Sequence, residues 1–399
     1  MTDASNAQEN DKTAGPPYIW VDTPEGFRSM IEALQPARRI AVDIEADSLY
    51  HYFEKVCLAQ ISSDTVTFVL DPLALSDLSA LGPIMADTSV EKVFHAAGYD
   101  VLSLRRDFEF SFSNLFDTHV AAQLLGFPQL GLSALLEKLL GVAHSKHRQR
   151  DDWSRRPLDA AQLQYAAMDT HYLLEIRDLL ADMLEERGRW EWATEEFEVA
   201  AAAQIPEKEF DPEGFRRIKG SRALTLQQLA VLRSLYLFRD RLAREMDLPP
   251  FRVINNSVLI ALARKPPASA RDLLKRHGIS ARIAERHSLA IWQAIESARA
   301  QDPVYLLLPA GTPWTPPPPE AKLRLERLKS WRESKAPELG LQVGVVFPGD
   351  QLERLALFPP SDPESLQKVR GMRRWRVREF GAEILQILHS DSPPNSGEK

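Results

Sequence analysis

Asp43 and Glu45 stand two apart in the stretch Arg39-Ile40-Ala41-Val42-Asp43-Ile44-Glu45-Ala46-Asp47. Ile40, Val42 and Ile44 alternate with the positions between them, which is the period of a β-strand. The two carboxylates therefore leave one face of that strand. A half-buried sheet does not accept paired acids without compensation, and hard divalent cations are the usual compensators because they take carboxylate oxygen. Asp100 opens a helix just after the β-prone run 91–95; alone it reads as an acid favoured by the helix macrodipole. Tyr165 and Asp169, at i and i+4, share a helix face that is otherwise alanine and leucine. Together Asp43, Glu45, Asp100 and Asp169 supply enough carboxylate for two divalent ions, which can activate water and stabilise the leaving oxygen of a phosphodiester. A free tyrosine ionises only near pH ~10, so positioning that water is the safer role for Tyr165 than deprotonating it.

The elements around these residues read as α/β. A short helix is expected over 24–34, ahead of the acidic strand, and the runs 56–61 and 65–70 read as a hairpin turned at Ser62-Ser63-Asp64. Gly98-Tyr99-Asp100 starts a helix, Asn114 to Thr118 leads into another that ends near Leu125, and 132–140 is a third, closed by Gly141. The segment 158–184 is strongly helical. Strands first and then strand–helix alternation imply a mixed sheet covered by helices.

At 399 residues, with 44% hydrophobic and 26% charged positions, the chain has the make-up of two or three globular domains. Cys57 is the only cysteine, which removes any intrachain disulfide and favours a reducing compartment. Residues 1–17 are polar and acidic, unlike a signal or transit peptide, and no apolar run approaches the ~20 residues that span a bilayer. A cytoplasmic protein with no membrane partner is the expectation. The net charge of −7 conceals an asymmetry: residues 211–300 carry seventeen basic side chains against eight acidic, a local +9.

Two helical segments repeat each other at an offset of 93. Leu232 meets Leu325, Leu235 meets Leu328, Arg239 meets Arg332 and Leu259 meets Leu352. Pro266-Pro267 meets Pro359-Pro360, Gly278 meets Gly371, and Phe238 is replaced by Trp331. Periodicity alone aligns leucines; it does not also align a proline pair and a glycine. The segments read as two copies of one helical domain, separated by a semi-rigid proline-rich spacer over 301–320. In the second copy Arg370, Arg373, Arg374, Arg376 and Arg378 surround Trp375. Such a group suits phosphate contact and base stacking if Trp375 is exposed, or forms a solvated basic face if Trp375 is core.

Asp43-Ile44-Glu45, His95 through Asp100 and Tyr165 through Asp169 resemble the three motifs of the DEDD 3′–5′ exonucleases in their tyrosine branch. The run Lys146 to Leu158, with Trp153-Ser154-Arg155-Arg156-Pro157, and Leu115-Phe116-Asp117-Thr118 are similar to bacterial ribonuclease D. The duplicated segments look like its C-terminal HRDC domain, present twice. The resemblance spans roughly 18–388 and implies a ribonuclease-H-like α/β exonuclease domain followed by two small all-α domains. The implied division is a tail at 1–17, the exonuclease at 18–205, a linker at 206–214 and a first HRDC domain at 215–300. The spacer at 301–320, a second HRDC-like domain at 321–390 and a tail at 391–399 complete it.

Also implied is metal-dependent removal of nucleotides from RNA 3′ ends, tRNA precursors with single-stranded tails included. Asp43, Glu45, Asp100 and Asp169 would be ligands of two ions, magnesium or alternatively manganese, with Tyr165 positioning water and no organic cofactor. Ile44 and Ala46 depart from the threonine and phenylalanine common in the family; neither replaced position supplies a carboxylate, so the difference bears on the grip of the terminal nucleotide. Arg148, Arg150, Arg155 and Arg156 could contact RNA phosphates or neutralise charge near the cleft, while Arg155 or Arg156 could equally pair with Asp151 or Asp152 and fix the loop. Asp47 and Asp117 read as structural, and a monomer is expected because the repeats can pair within one chain. The competing functions are a DNA 3′–5′ exonuclease, disfavoured by the lack of polymerase or helicase segments, and a catalytically silent RNA-binding scaffold, disfavoured by the full set of acids.

Overall fold

A computed structural model describes residues 15–145, 147–204, 210–274, 278–301, 303 and 316–390. Residues 1–14 of the expected N-terminal tail, the expected C-terminal tail and most of the proline-rich spacer lie outside the described residues. The chain divides into two compact units. The first holds residues 1–45, 56–205 and 316–399; the second holds 46–55 and 206–315. Among the described residues no helix is long and apolar enough to cross a membrane.

The first unit is built on six strands: β1 (Ile19–Val21), β2 (Arg39–Ala46), β3 (Val56–Ser62), β4 (Thr67–Leu70), β5 (Glu91–Phe94) and β6 (Leu115–Asp117). Their order across the sheet is β1-β4-β3-β2-β5-β6. β3 and β4 pair antiparallel, as the hairpin pattern requires, whereas β1–β4, β2–β5 and β5–β6 are parallel. β2 therefore lies at the centre, buried from Ile40 to Val42 and at Ile44, with Asp43, Glu45 and the two end residues partly exposed. Three-residue β1 and β6 are too short to show a period, and the lead-in expected at Asn114–Thr118 contains β6. The helical stretch expected at 158–184 is two helices, Ala160–His171 and Leu173–Glu186, interrupted at Tyr172.

The second helical repeat packs inside this unit. Trp375 is 1% exposed and stacks on Trp192 of the helix Trp190–Ala201, with centroids 4.4 Å apart and planes 14° apart. Glu195 accepts the backbone N–H groups of Arg374 and Trp375 at 2.8 and 2.9 Å. It thereby caps the helix Arg374–His389, which has no side-chain cap of its own. Glu196 receives Arg373, Arg376 and the Trp375 indole N–H at 2.8, 3.2 and 3.1 Å. Arg374 pairs with Glu198 at 2.8 Å, and Arg378 with Glu191. Four of the five arginines that could have served RNA are thus engaged by one glutamate-rich helix, and the exposed-aromatic reading is corrected. The local pattern 370–378 showed the basic cluster but not the acids nearly 180 residues away that receive it.

The duplication is visible contact by contact. Helix Leu226–Met246 corresponds at the same offset to Pro319–Leu339, and Ala281–Ala300 begins where Arg374–His389 begins. Arg239 donates to Ile254 O at 2.9 Å, and Arg332 donates to the equivalent Phe347 O at 2.9 Å. A capping box of Ser269 with Asp272 recurs with the residues exchanged, Asp362 with Ser365. Gly278 and Gly371 both adopt positive φ, 92° and 83°, which glycine adopts without steric cost.

In the second unit, residues 46–55 fold onto the first repeat. Asp247 accepts the backbone N–H groups of Tyr52 and Phe53 at 3.0 and 3.1 Å and contacts His51 Nδ1 at 2.7 Å. The Tyr52 hydroxyl donates to Asp240 at 2.9 Å. Asp47, fully buried, pairs with Lys55 at 2.5 Å, in line with its structural reading.

Candidate functional site

β2 presents Asp43 and Glu45 from one face, as their spacing requires. The helix Ala160–His171 lies over that face, its start fixed by a capping box between Asp159 and Gln162. Ala166 and Ala167 pack with Cys57, Leu58, Val69 and Trp153 in a small cluster of their own, and side chains this short let the helix approach the sheet closely. Hydroxyl contacts fix its rotation: Ser62 Oγ meets Thr170 Oγ1 at 2.7 Å, and Thr67 Oγ1 meets His171 Nδ1 at 2.9 Å. With that setting Asp169 turns toward β2. Carboxylate oxygens of Asp43, Glu45 and Asp169 lie within 4.8 Å of one another.

Asp100 enters from the first turn of the helix Gly98–Phe108 and is buried. It stands outside that group of three, near enough that its charge raises Asp43 and Glu45. Asp117 holds the turn that delivers it. Its carboxylate accepts Ala96 N and Ala97 N at 2.9 Å each, with Ala96 at φ 63°, and also caps the helix Thr118–Leu124. Asp117 is structural, as its place in the sequence suggested.

The electrostatics match a cation site. Loss of water, then the charges of Asp169, Asp100 and Glu45, push Asp43 well above the ordinary carboxylate range. Glu45 rises for the same reason, by burial and then by Asp169, Asp100 and Asp151. Asp100 rises through burial and then Asp117 and Asp169; burial also raises Asp169, opposed by a hydrogen bond from His144. The neighbouring charges that act on Asp43, Glu45 and Asp100 most strongly are those of other carboxylates. Converging oxygen donors that repel one another are the donor set of a hard divalent ion, so these residues fit such a metal.

Tyr165, half-buried, lies one turn before Asp169. Burial first, and then Asp169, Glu45 and Asp43, raise its hydroxyl far above its usual value, which keeps it protonated as a hydrogen-bonding group. His144 stacks on its ring at 5.1 Å and 26°, and the Trp153 ring lies 6.1 Å from it. His144 also contacts Asp169 Oδ1 through Nε2 at 2.7 Å, both side chains being less than a tenth exposed. The sequence reading missed this histidine. It stands alone after the helix Leu132–Leu140, and no spacing rule ties it to residues 165 and 169.

The arginines divide toward structure. Arg156 is bidentate to Asp71, 2.6 Å at each oxygen, and donates to Cys57 O at 2.8 Å. Arg155 pairs with Asp152 and Arg148 with Asp151, each at 3.0 Å. These bonds pin the Trp153–Pro157 segment against the helix Ala160–His171; Asp71 as the partner of Arg156 was not foreseen.

The 3′–5′ exonuclease family matches residues 18–185, and the HRDC domain matches twice, at 228–295 and 322–388. A ribonuclease D from Gluconacetobacter diazotrophicus is 32% identical over 381 residues, covering 94% of each chain. The crystal structure of Escherichia coli RNase D, described as an exoribonuclease involved in structured RNA processing, superposes with a TM-score of 0.67 at 25% identity over 94% of this chain and 99% of that one. The catalytic core of RRP6 from Trypanosoma brucei gives 0.67 at 31% identity, covering 72% of this chain and 81% of the other.

Proposed function

The chain belongs to the ribonuclease D family of 3′–5′ exoribonucleases, which depend on divalent metal, and from that premise we propose which residues act and on what. Asp43, Glu45, Asp100 and Asp169 hold two divalent ions, magnesium or manganese. The observation that carries this reading is the convergence of three carboxylates within 4.8 Å, each raised by its neighbours or by burial. Ions bound there would supply the positive charge that activates a water and stabilises the leaving 3′ oxygen.

Tyr165 orients that water through its protonated hydroxyl, its ring held by the contacts with His144 and Trp153. Asp117 keeps Asp100 in register by fixing the turn before its helix. The substrate is RNA with a single-stranded 3′ tail, tRNA precursors among them, degraded by a monomer in the cytoplasm; the lone Cys57 accords with a reducing compartment. The exonuclease is assigned to 18–205 and the HRDC domains to 215–300 and 321–390. Exposed arginines of the first HRDC domain, Arg222, Arg264, Arg271, Arg282 and Arg286, supply phosphate contacts.

The test is digestion of a 3′-tailed RNA and its DNA counterpart by wild type and Asp43→Ala, with magnesium and with chelator. Stepwise release of 3′ nucleotides from RNA, abolished by chelator and by the substitution, is expected. Cleavage that survives Asp43→Ala would overturn the site assignment, and equal cleavage of DNA would overturn the substrate assignment.

A further inference from the structure

We infer that His144 is a positioning residue for this site, acting through Asp169 and Tyr165 together; the inference rests on the carboxylate reading above. Its Nε2 donates to Asp169 Oδ1 at 2.7 Å. Its ring lies on the Tyr165 ring at 5.1 Å, tilted only 26°. One side chain therefore touches both groups that the helix Ala160–His171 contributes, and both contacts are shielded from water, His144 being 6% and Asp169 9% exposed at the side chain.

The physical consequence is directional. A carboxylate with one oxygen bonded to a fixed donor loses torsional freedom about its terminal bond, and its second oxygen is aimed without further ordering. The contact with His144 also stabilises the Asp169 carboxylate against the burial that raises it. A flat ring on Tyr165 restricts the tyrosine side chain, so its hydroxyl is presented at one place rather than over an arc. The Trp153 ring also lies near Tyr165, with centroids 6.1 Å apart. The segment carrying His144 is set by Gly141, whose φ of 68° ends the helix Leu132–Leu140 and turns the chain.

Three substitutions separate the two contacts: His144→Ala removes both, His144→Gln keeps an amide donor and removes the stack, and His144→Phe keeps a ring and removes the donor. Calorimetric titration of the metal-free full-length chain with manganese reads the Asp169 contact without any turnover. His144→Ala should weaken that binding by about ten- to a hundredfold, and His144→Gln should restore most of it, while His144→Phe should not. On a short 3′-tailed RNA, kcat should fall for His144→Ala with KM little changed, and all three variants should keep the wild-type melting profile in chelator. Manganese binding that is unchanged or tighter in His144→Ala overturns the inference, as does a loss that His144→Gln fails to rescue. Asp43→Ala run in parallel separates the two claims. If it keeps metal and activity, the carboxylate assignment has failed; if it loses both while His144→Ala resembles wild type, only the role of His144 has failed.

Discussion

Two clusters of acids lie in the same unit and meet opposite fates. Glu191, Glu195, Glu196 and Glu198 project from the helix Trp190–Ala201, and each meets arginines or backbone N–H groups of the second repeat. Asp43, Glu45 and Asp100 are instead raised by burial and by neighbouring carboxylates. The first cluster is a joint, whose charges are satisfied within the fold. The second is held in a repulsive arrangement that the fold alone does not satisfy, which marks a place for an ion from solution. Acids paired within the fold belong to structure, and acids left beside like charge mark a place for chemistry.

Substitution in the two clusters should therefore act with opposite signs. Asp43→Asn should lower RNA cleavage on the order of a thousandfold, the several kcal/mol that metal catalysis contributes. At pH 8 in chelator it should at the same time raise the melting temperature, because one repelling charge is gone. An equal or lower melting temperature would show that the site carries no such strain. Glu196→Ala should do the reverse. It leaves Arg376, 7% exposed, without its carboxylate, at a cost on the order of 3 kcal/mol, while cleavage of a short RNA well below the melting temperature stays near wild type. Thermal unfolding with a parallel cleavage assay reads both.

The same contrast sets a pH dependence. The folded-state pKa values of Asp43, Glu45, Asp100 and Asp169 lie above the ordinary carboxylate range, so the metal-free protein retains protons that its unfolded chain has released. The stability due to those protons is fully present below about pH 4 and is lost as pH rises through the raised values. Ion binding requires the deprotonated ligands, so the added stability from magnesium should grow over the same interval. Melting curves from pH 5 to 8, with and without magnesium, should diverge as pH rises; parallel curves would argue against metal at these carboxylates.

The smallest expected effect concerns the two repeats. Gly340 ends its helix at φ 63°, whereas the equivalent residue of the first repeat is Asp247 at φ 48°. An aspartate there carries backbone strain that glycine does not, yet its carboxylate holds the backbone at 52–53. Asp247→Gly should leave the melting temperature within a degree or two, since relieved strain offsets lost hydrogen bonds of about 1 kcal/mol each. Amide exchange at Tyr52 and Phe53 should nevertheless quicken. Unchanged exchange there would mean that the loop is held by other contacts.

Sequence alone determined what depends on near neighbours. Alternation along Arg39–Ala46 set Asp43 and Glu45 on one face, and the i, i+4 spacing set Tyr165 beside Asp169. The offset of 93 identified the duplication because proline and glycine constrain the backbone wherever they stand. Asp47 and Asp117 read as structural only by default, and their hydrogen bonds gave the reason. Tertiary structure decided what depends on distant partners. It chose which three acids converge, gave Arg156 to Asp71, placed His144 between Asp169 and Tyr165, and engaged the arginines around Trp375 with one glutamate helix. Periodicity reports the direction in which a side chain leaves its own element. What waits there is set by the order of strands in the sheet and the docking of helices on it, and a cluster of like residues reads the same whether its partner is another helix or a nucleic acid.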